Sequence, residues 1–315
     1  MNFLSFCYKI YYFIPDFSKL GFVGKAINKL LEILLKKLFD FFVPKLLLKT
    51  QNNFVQGVSS TKINDSKIIV SLTSFPERIN HVWVSIECLL RQSYKPNMII
   101  LWLSKDQFKN VKLPHSLLSQ TKRGLTIKFC DDDLKAHKKY FYSIQKNPND
   151  IIITYDDDLY YDKWSIERIM KLHSKYPKFI CTNRAHEIKF DFNNQILPYA
   201  KWNHRVTKEK PSFKIVQTGG AGTLYPKNSL NTNVLNKDLI IEKCLFADDL
   251  WLKIHSLING IKVVTNSSNN KQPITTTPKS FKTKLISHNG KLGGNDVQLM
   301  SLIKYYNIEK KHFND

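Results

Sequence analysis

From residue 67 onwards, short apolar runs alternate with segments of helical spacing. The apolar runs predict buried strands at residues 67–72, 98–103, 125–129 and 151–154. Apolar residues at helical intervals predict helices at residues 82–91, 138–145 and 164–176. This alternation predicts an α/β fold with a mostly parallel, Rossmann-like central sheet flanked by helices. Because ligands bind such sheets beyond the carboxyl ends of the strands, the residues just after each strand are the first candidates for chemistry.

The first 50 residues follow a different pattern. Residues 20–43 are rich in Leu, Ile, Val and Phe, and their charged positions form one helical stripe, at Lys25, Lys29, Glu32, Lys36 and Asp40. This pattern predicts an amphipathic helix that charges interrupt too often for it to cross a bilayer. One interpretation is a helix that lies in an anionic membrane surface. The alternative is a helix packed on the rest of the protein or on another subunit.

Composition narrows the class of protein. The 315 residues are 43% hydrophobic, which suffices for one large α/β domain. A mean hydropathy of −0.30 argues against a polytopic membrane protein. The formal charge of +22 attracts anions, which include nucleic acids, anionic membranes and phosphorylated small molecules. Five widely spaced cysteines without a zinc-ligand pattern indicate a reducing compartment without disulfides.

Three consecutive aspartates, Asp156, Asp157 and Asp158, follow the fourth predicted strand directly. Crowded carboxylates repel one another unless a cation compensates them, and Mg²⁺ or Mn²⁺ prefers such oxygen ligands. Since alternate residues of an extended segment point the same way, we expect Asp156 and Asp158 to face a metal together. The alternative is a solvated acidic turn that caps the next helix.

Two other strand ends carry charged or hydroxyl residues. The first strand is followed by Thr73, Pro76 and Arg78. The third is followed by three aspartates, of which Asp132 or Asp133 could recognise a nucleobase edge while Lys138 reaches a phosphate. Aspartates also commonly cap helices, so a structural role is the alternative here.

Further candidates lie downstream. A stretch with Gly219, Gly220 and Gly222 lacks the features of a phosphate-binding loop. We interpret it as a wall of the acceptor pocket, which binds the substrate that receives the transferred group. Next come Asp248 and Asp249, one of which is placed well for a general base, with Trp251 nearby for sugar packing; a helix N-cap is the alternative. In the glycine-rich C-terminal region, His288 is a candidate third metal ligand.

Seven motifs in this order resemble bacterial family-2-like glycosyltransferases of surface polysaccharide (capsule and lipopolysaccharide) biosynthesis. They are SLTSFPERI, MIILWLS, CDDDLKAHKKYFYSI, IIITYDDDLYY, NRAH, TGGAGTLYP and ADDLWLK, within residues 67–264. The resemblance implies a GT-A fold, a nucleotide-sugar donor (most often a UDP-sugar), a divalent metal and inversion at the anomeric carbon. No QxxRW-type motif follows residue 264, which argues against a processive synthase.

The resemblance also implies roles for individual residues. The positions matching the nucleotide-sugar contacts of the family are Thr73, Pro76, Arg78, Asp132, Asp133, Lys138, Asp156 and Asp157. Asp156 and Asp158 match the metal-binding DxD motif, and Asp249 matches the catalytic base of the usual ED motif. Because Asp248 stands where that motif has glutamate, the choice between Asp248 and Asp249 stays open.

We therefore expect residues 1–50 to be a helical segment and residues 51–66 a linker. The catalytic domain covers residues 67–270, with a nucleotide-sugar half at 67–160 and an acceptor half at 161–270, and residues 271–315 form a lid or tail. The expected acceptor is a surface glycan or a glycolipid. The expected location is cytoplasmic, on the inner face of the bacterial cytoplasmic membrane. The sequence leaves the oligomeric state open.

Two other functions compete with this prediction. A metal-dependent nucleotidyl or phosphoryl transferase also needs aspartates and basic residues. A nucleic-acid-binding protein would suit the charge, but the lysines are dispersed and no zinc-finger, RRM or KH pattern is present. We therefore expect no nucleic-acid partner.

Overall fold

The computed structural model describes residues 3–13, 17–51, 56–63, 65–266, 274–276 and 294–315. His288, the candidate third metal ligand, lies outside these ranges. The ten named strands are β1 (Ile68–Thr73), β2 (Met98–Ser104), β3 (Leu125–Cys130), β4 (Ile151–Thr154), β5 (Ile180–Thr182), β6 (Ala185–Glu187), β7 (Asn203–His204), β8 (Ile215–Gln217), β9 (Thr223–Tyr225) and β10 (Val263–Thr265). The ten named α-helices are α1 (Phe3–Phe13), α2 (Gly21–Thr50), α3 (Val82–Leu90), α4 (Lys105–Phe108), α5 (His115–Leu118), α6 (Lys138–Lys146), α7 (Ser165–Lys175), α8 (Lys237–Lys243), α9 (Asp248–Ile258) and α10 (Gly294–Tyr305).

A seven-stranded sheet with the order β10-β5-β9-β4-β1-β2-β3 forms the centre of the protein. β9 runs antiparallel to its neighbours β4 and β5, and the other pairs are parallel. A small antiparallel sheet, β7-β6-β8, lies beside it. The predicted α/β, mostly parallel, Rossmann-like fold is thus confirmed.

Both faces of the central sheet are covered, which explains why its strands are continuously apolar. In β1, Val70 and Leu72 join the core with α2, α3 and α7, while Ile69 joins the core with α6, α9 and α10. This alternation follows from the two-residue period of a strand.

The N-terminal helices pack on this domain through one face. Phe39, Val43 and Leu47 of α2 are buried. The ring of Phe39 packs edge-on against Tyr160 at 5.4 Å between centroids, and Asp40 accepts a hydrogen bond from the Tyr160 hydroxyl at 3.2 Å. The packed-helix interpretation therefore describes one face of α2. None of the described helices combines the length and apolarity needed to cross a bilayer.

Segments outside the sheet are also joined to the domain. The predicted linker is held where Gly57 N donates to the Arg123 carbonyl at 2.8 Å. Thr276 N donates to the carbonyl of Asp158 at 2.7 Å, next to the aspartate run. In α10, Leu299 and Leu302 are buried, so this part of the predicted lid or tail packs into the core.

Candidate active site

The aspartate run lies at the carboxyl end of β4, where the chain turns after Thr154. Asp157 and Asp158 face Arg78, with Nη1 2.7 Å from Asp157 Oδ1 and 3.2 Å from Asp158 Oδ2. The hydroxyl of Ser74 donates to the other oxygen of Asp157. We call these four residues the Arg78 cluster. Each acidic group in it has a cationic partner, and all four side chains are largely buried.

Asp156 points to a different cation. Lys139 Nζ lies 2.9 Å from Asp156 Oδ1 and 2.9 Å from Asp248 Oδ2. Burial alone would lower the pKa of Lys139, but the charges of Asp156, Asp248 and Asp249 raise it well above its usual value. We call these four residues the Asp249 cluster. It brings one buried ammonium against three carboxylates.

Asp248 and Asp249 begin α9 side by side but have opposite proton affinities. Burial is the largest single influence on Asp248 and would raise its pKa, but the charge and hydrogen bond of Lys139, together with weaker effects, hold that pKa below the usual value. Burial, followed by the charge of Asp248, raises the pKa of Asp249 to about 7. Asp249 Oδ1 also accepts a hydrogen bond from Gly219 N at 2.8 Å, which fixes the carboxylate. Neither aspartate caps α9, whose N-cap residue is Ala247.

The glycine-rich stretch packs directly against these acids. A Cβ on Gly219 would lie 3.0 Å from Asp249 Oδ1, and one on Gly220 would lie 2.4 Å from Asp156 Oδ2. Gly222 has φ +103°, and a Cβ there would lie 2.6 Å from the Tyr155 ring. This close approach explains why glycines occupy these positions. The stretch therefore forms a wall beside the Asp249 cluster.

The residues predicted on the nucleobase side contact other groups of the protein. Lys138 is buried, with Nζ 2.6 Å from Asp133 Oδ1. Asp132 lies 3.1 Å from Lys237 Nζ. The Thr73 hydroxyl donates to the Trp102 carbonyl at 2.9 Å, and Pro76 begins the 3-10 turn that carries Arg78.

Trp251 requires a correction, because it does not face a pocket. Its exposed fraction is 0%, and its indole nitrogen donates to the Val234 carbonyl at 3.0 Å. The ring packs against that of His255 in the core, with 4.3 Å between the ring centroids. Position 251 lies on the buried face of α9, so a sugar cannot reach it. A half-buried aromatic residue that does lie near Asp249 is Tyr199, because burial and then the charge of Asp249 raise the pKa of its phenol.

The extended-segment argument for Asp156 and Asp158 also differs from the structure. The strand ends at Thr154 and residues 157–158 form a turn, so Asp156 contacts Lys139 while Asp158 contacts Arg78. Lys139 is the residue that sequence reasoning left without a role. It lies one helical turn before Ser143, whose hydroxyl is 2.8 Å from that of Ser71 in β1, so the structure places it on the helix face turned towards the sheet; the sequence alone carries no signal that separates it from Lys138.

A divalent cation fits part of this arrangement. Among the described residues no group of three or more His, Cys, Asp or Glu side chains could hold a metal ion alone. Mg²⁺ in phosphate-handling sites commonly takes one or two carboxylates and completes its shell with phosphates and water. Asp156 suits this role because its side chain is 39% exposed and only its Oδ1 is paired with Lys139. Asp158, the second carboxylate of the predicted pair, contacts Arg78 instead, with its Oδ2 3.2 Å from Nη1.

Comparisons with known proteins give similarity of structure only. No family model and no curated protein matches the chain. A 4-diphosphocytidyl-2C-methyl-D-erythritol synthase from Anaerococcus prevotii is similar with 14% identity and a TM-score of 0.43, over 72% of this chain and 98% of that one. A CMP:2-keto-3-deoxy-manno-octonic acid synthetase complexed with CTP is similar with 11% identity and a TM-score of 0.42, over 72% of this chain and 100% of that one. Similarity this distant does not define an activity, and membership of the glycosyltransferase family stays a prediction from the motifs.

Proposed function

We propose that this protein is a metal-dependent glycosyltransferase that moves a sugar from a nucleotide-sugar to a hydroxyl of a glycan or glycolipid, with inversion. The observation that carries the proposal is the pair Asp248 and Asp249. Asp248 is neutralised by Lys139, while the pKa of Asp249 is raised to about 7. A carboxylate with this pKa is matched to taking a proton near neutral pH.

The type of nucleophile distinguishes this reaction from one form of its closest rival, nucleotidyl transfer to an anionic acceptor. An acceptor hydroxyl is neutral at pH 7 and must lose its proton as its oxygen attacks the anomeric carbon. In nucleotidyl transfer to a phosphate or carboxylate, the attacking oxygen is already anionic and needs no base. A base poised near neutrality therefore favours transfer to a hydroxyl.

The donor would lie along the aspartate run. Asp156 and Asp158 would hold Mn²⁺ or Mg²⁺, which when bound supplies charge neutralisation for the departing diphosphate. Arg78 adds fixed positive charge at the same edge, next to both Asp157 and Asp158. The glycine wall keeps Asp249 close to this edge, since Gly219 N donates a hydrogen bond to one oxygen of its carboxylate. A single displacement would place the leaving group and the base on either side of the sugar.

Nucleotidyl transfer is the second candidate. An edge with aspartates for a metal and with Arg78 would also suit a nucleoside triphosphate, and one of the similar solved structures is a complex with CTP. The two reactions release different products. Glycosyl transfer releases a nucleoside diphosphate, whereas nucleotidyl transfer from a triphosphate releases pyrophosphate.

Product analysis is the experiment that tests the proposal. The protein is incubated with Mn²⁺ and a panel of nucleotide-sugars or nucleoside triphosphates, and slow hydrolysis is followed with water as the acceptor. We expect nucleoside diphosphate from one nucleotide-sugar, loss of turnover with EDTA, and recovery with Mn²⁺. Pyrophosphate release from a triphosphate, without hydrolysis of any nucleotide-sugar, would instead establish the second candidate.

We also propose that the N-terminal helices bind an anionic membrane surface, on the inner face of the cytoplasmic membrane. The face of α2 away from the domain exposes apolar side chains at helical intervals of three or four residues. They are Val23, Ile27, Leu30, Leu34, Leu38 and Phe41. The exposed Lys37, Lys45 and Lys49 flank this stripe and would meet anionic headgroups.

A vesicle assay tests the membrane proposal. We expect sedimentation with vesicles that contain anionic lipid and little with neutral vesicles. Leu34→Glu should abolish binding, whereas Ile241→Glu, at an exposed apolar position of α8, should leave it unchanged. Equal binding by both variants would refute the helix as the contact surface.

A further inference from the structure

Arg184 is a cation beside the candidate active site that has no carboxylate partner among the described residues. It belongs to the NRAH motif, between β5 and β6, to which no role has been assigned above. Its Nη1 donates to the Thr218 hydroxyl at 3.0 Å. Its Nε is buried and has no hydrogen-bond partner among the described residues.

Other buried arginines of this protein are paired. Arg78 contacts Asp157 at 2.7 Å, Arg91 contacts Glu87 at 2.7 Å, and Arg168 contacts Asp162 at 2.6 Å. Pairing is the rule because a desolvated charge costs free energy unless it meets an opposite charge. Burial accordingly lowers the pKa of Arg184 below its usual value. An arginine left in this state is suited to an anionic ligand that brings the missing charge.

Arg184 lies on the Asp249 side of the candidate active site. Its partner Thr218 immediately precedes Gly219, which holds Asp249. The charges of Asp249 and Asp156 both act on the guanidinium, and neither lies within ion-pair distance of it. The Arg78 cluster lies at the other end of the aspartate run, where Arg78 contacts Asp157 and Asp158.

Two histidines and a second arginine lie on or next to the small sheet, beyond Arg184. The rings of His186 and His204 lie 4.4 Å apart, and Arg205 N donates to His186 Nδ1 at 3.0 Å. Arg205 is exposed, and its charge acts on the phenol of Tyr11 in α1. Arg184 and Arg205 therefore place two positive charges beside the neutral His186, on the path from the Asp249 cluster towards the N-terminal helices.

We propose that Arg184 binds an anionic group of the phosphate class on the acceptor, with Arg205 at the outer end of the same path. This inference rests on the proposed function, because it takes Asp249 as the base for the acceptor hydroxyl. A phosphate offers several oxygens, so it can accept hydrogen bonds from the outer guanidinium nitrogens together and supply the missing negative charge. The acceptor is thereby an amphiphile or glycan that carries its anion close to the reacting hydroxyl.

The test uses methyl phosphate as the probe, with binding followed by ³¹P NMR in the presence of Mg²⁺ and saturating UDP. We expect saturable binding by the wild-type protein that UDP does not displace. Arg184→Gln should weaken it at least about tenfold, since a charge-assisted contact is lost. Arg184→Lys should retain part of it, and Lys208→Gln, which removes an exposed charge after β7, should leave it unchanged.

Parallel measurements separate this inference from the proposed function. Melting temperatures and UDP affinity of each variant show whether the fold and the donor side are intact. Displacement of methyl phosphate by UDP would assign Arg184 to the donor and overturn the inference. Equal binding by wild type and Arg184→Gln, or no saturable binding at all, would also overturn it. If methyl phosphate binding depends on Arg184 but no nucleotide-sugar is turned over, the proposed function fails while the anion site remains.

Discussion

The Arg78 cluster and the Asp249 cluster lie at the two ends of one short aspartate run, yet their charges are balanced differently. In the Arg78 cluster a guanidinium and a serine hydroxyl face Asp157 and Asp158. In the Asp249 cluster the single ammonium of Lys139 serves three carboxylates. The first arrangement sets one cation against two carboxylates. The second leaves an excess of negative charge, and Asp249 responds with a raised pKa.

The largest expected effect concerns the base itself. Asp249→Asn keeps the size of the side chain but removes its ability to take a proton, so we expect the transfer rate to fall by about 10²- to 10⁴-fold. The affinity for the nucleotide should change little. Steady-state kinetics and nucleotide binding provide the measurement. Asp238→Asn, at an exposed position of α8, is the matched control and should retain full activity. Full activity in Asp249→Asn would remove Asp249 from the mechanism.

The second prediction concerns the balance of charge around Lys139. Lys139→Met leaves three carboxylates without their ammonium, and we expect the free energy of unfolding to fall by about 3–5 kcal/mol near pH 8. Because Asp249 is protonated below about pH 7, the loss should be smaller at pH 5.5. Urea denaturation at both pH values measures this.

A comparison variant separates the buried cation from an ordinary surface charge. Lys171→Met breaks an exposed helical pair with Glu167, which should cost at most about 1 kcal/mol at either pH. If Lys139→Met costs no more than Lys171→Met, the Asp249 cluster does not have the balance of charge described here.

The third and smallest prediction concerns the glycine wall. Gly220→Ala introduces a Cβ only 2.4 Å from Asp156 Oδ2, so the carboxylate must move. A displacement of a reacting group by about 1 Å can cost about a hundredfold in rate, and we expect a loss between about tenfold and a hundredfold. Gly260→Ala provides the contrast, because its φ of +67° makes alanine strained but no atom lies within 4 Å of the new Cβ. It should lower stability by about 1 kcal/mol and leave the rate unchanged. Unchanged kinetics in Gly220→Ala would show that the wall does not position Asp156.

The sequence predicted the first half of the sheet well. The four strands predicted from apolar runs lie within one residue of β1 to β4, because such runs are long enough to show a pattern. β5 to β10 each contain three residues or fewer, and tertiary packing rather than local pattern defines them. The N-terminal helix was predicted to residue 43 but continues through Pro44 to Thr50, since Leu47 is buried against the domain.

The sequence predicted many of the residues at the site, but it did not predict which of them pair with one another. Strand ends correctly brought Arg78 and the aspartate run together, but two adjacent lysines cannot be distinguished without the helix phase. Lys138 turns to Asp133, and Lys139 turns to the Asp249 cluster. The choice between Asp248 and Asp249 depended in the same way on which of them meets Lys139. Trp251 was assigned to the pocket wrongly because the sequence alone does not show whether an apolar position of a helix faces the core or a pocket.

The most direct test of the central claim is the titration of the two neighbouring carboxyl groups. ¹³C NMR of protein labelled at aspartate side chains, with Asp249→Asn and Asp248→Asn used for assignment, follows both groups from pH 3 to pH 9. We expect Asp249 to titrate near pH 7 and Asp248 to stay ionised until the pH falls below the ordinary pKa of an aspartate. Titration of Asp249 near pH 4 would contradict its role as a base poised near neutral pH.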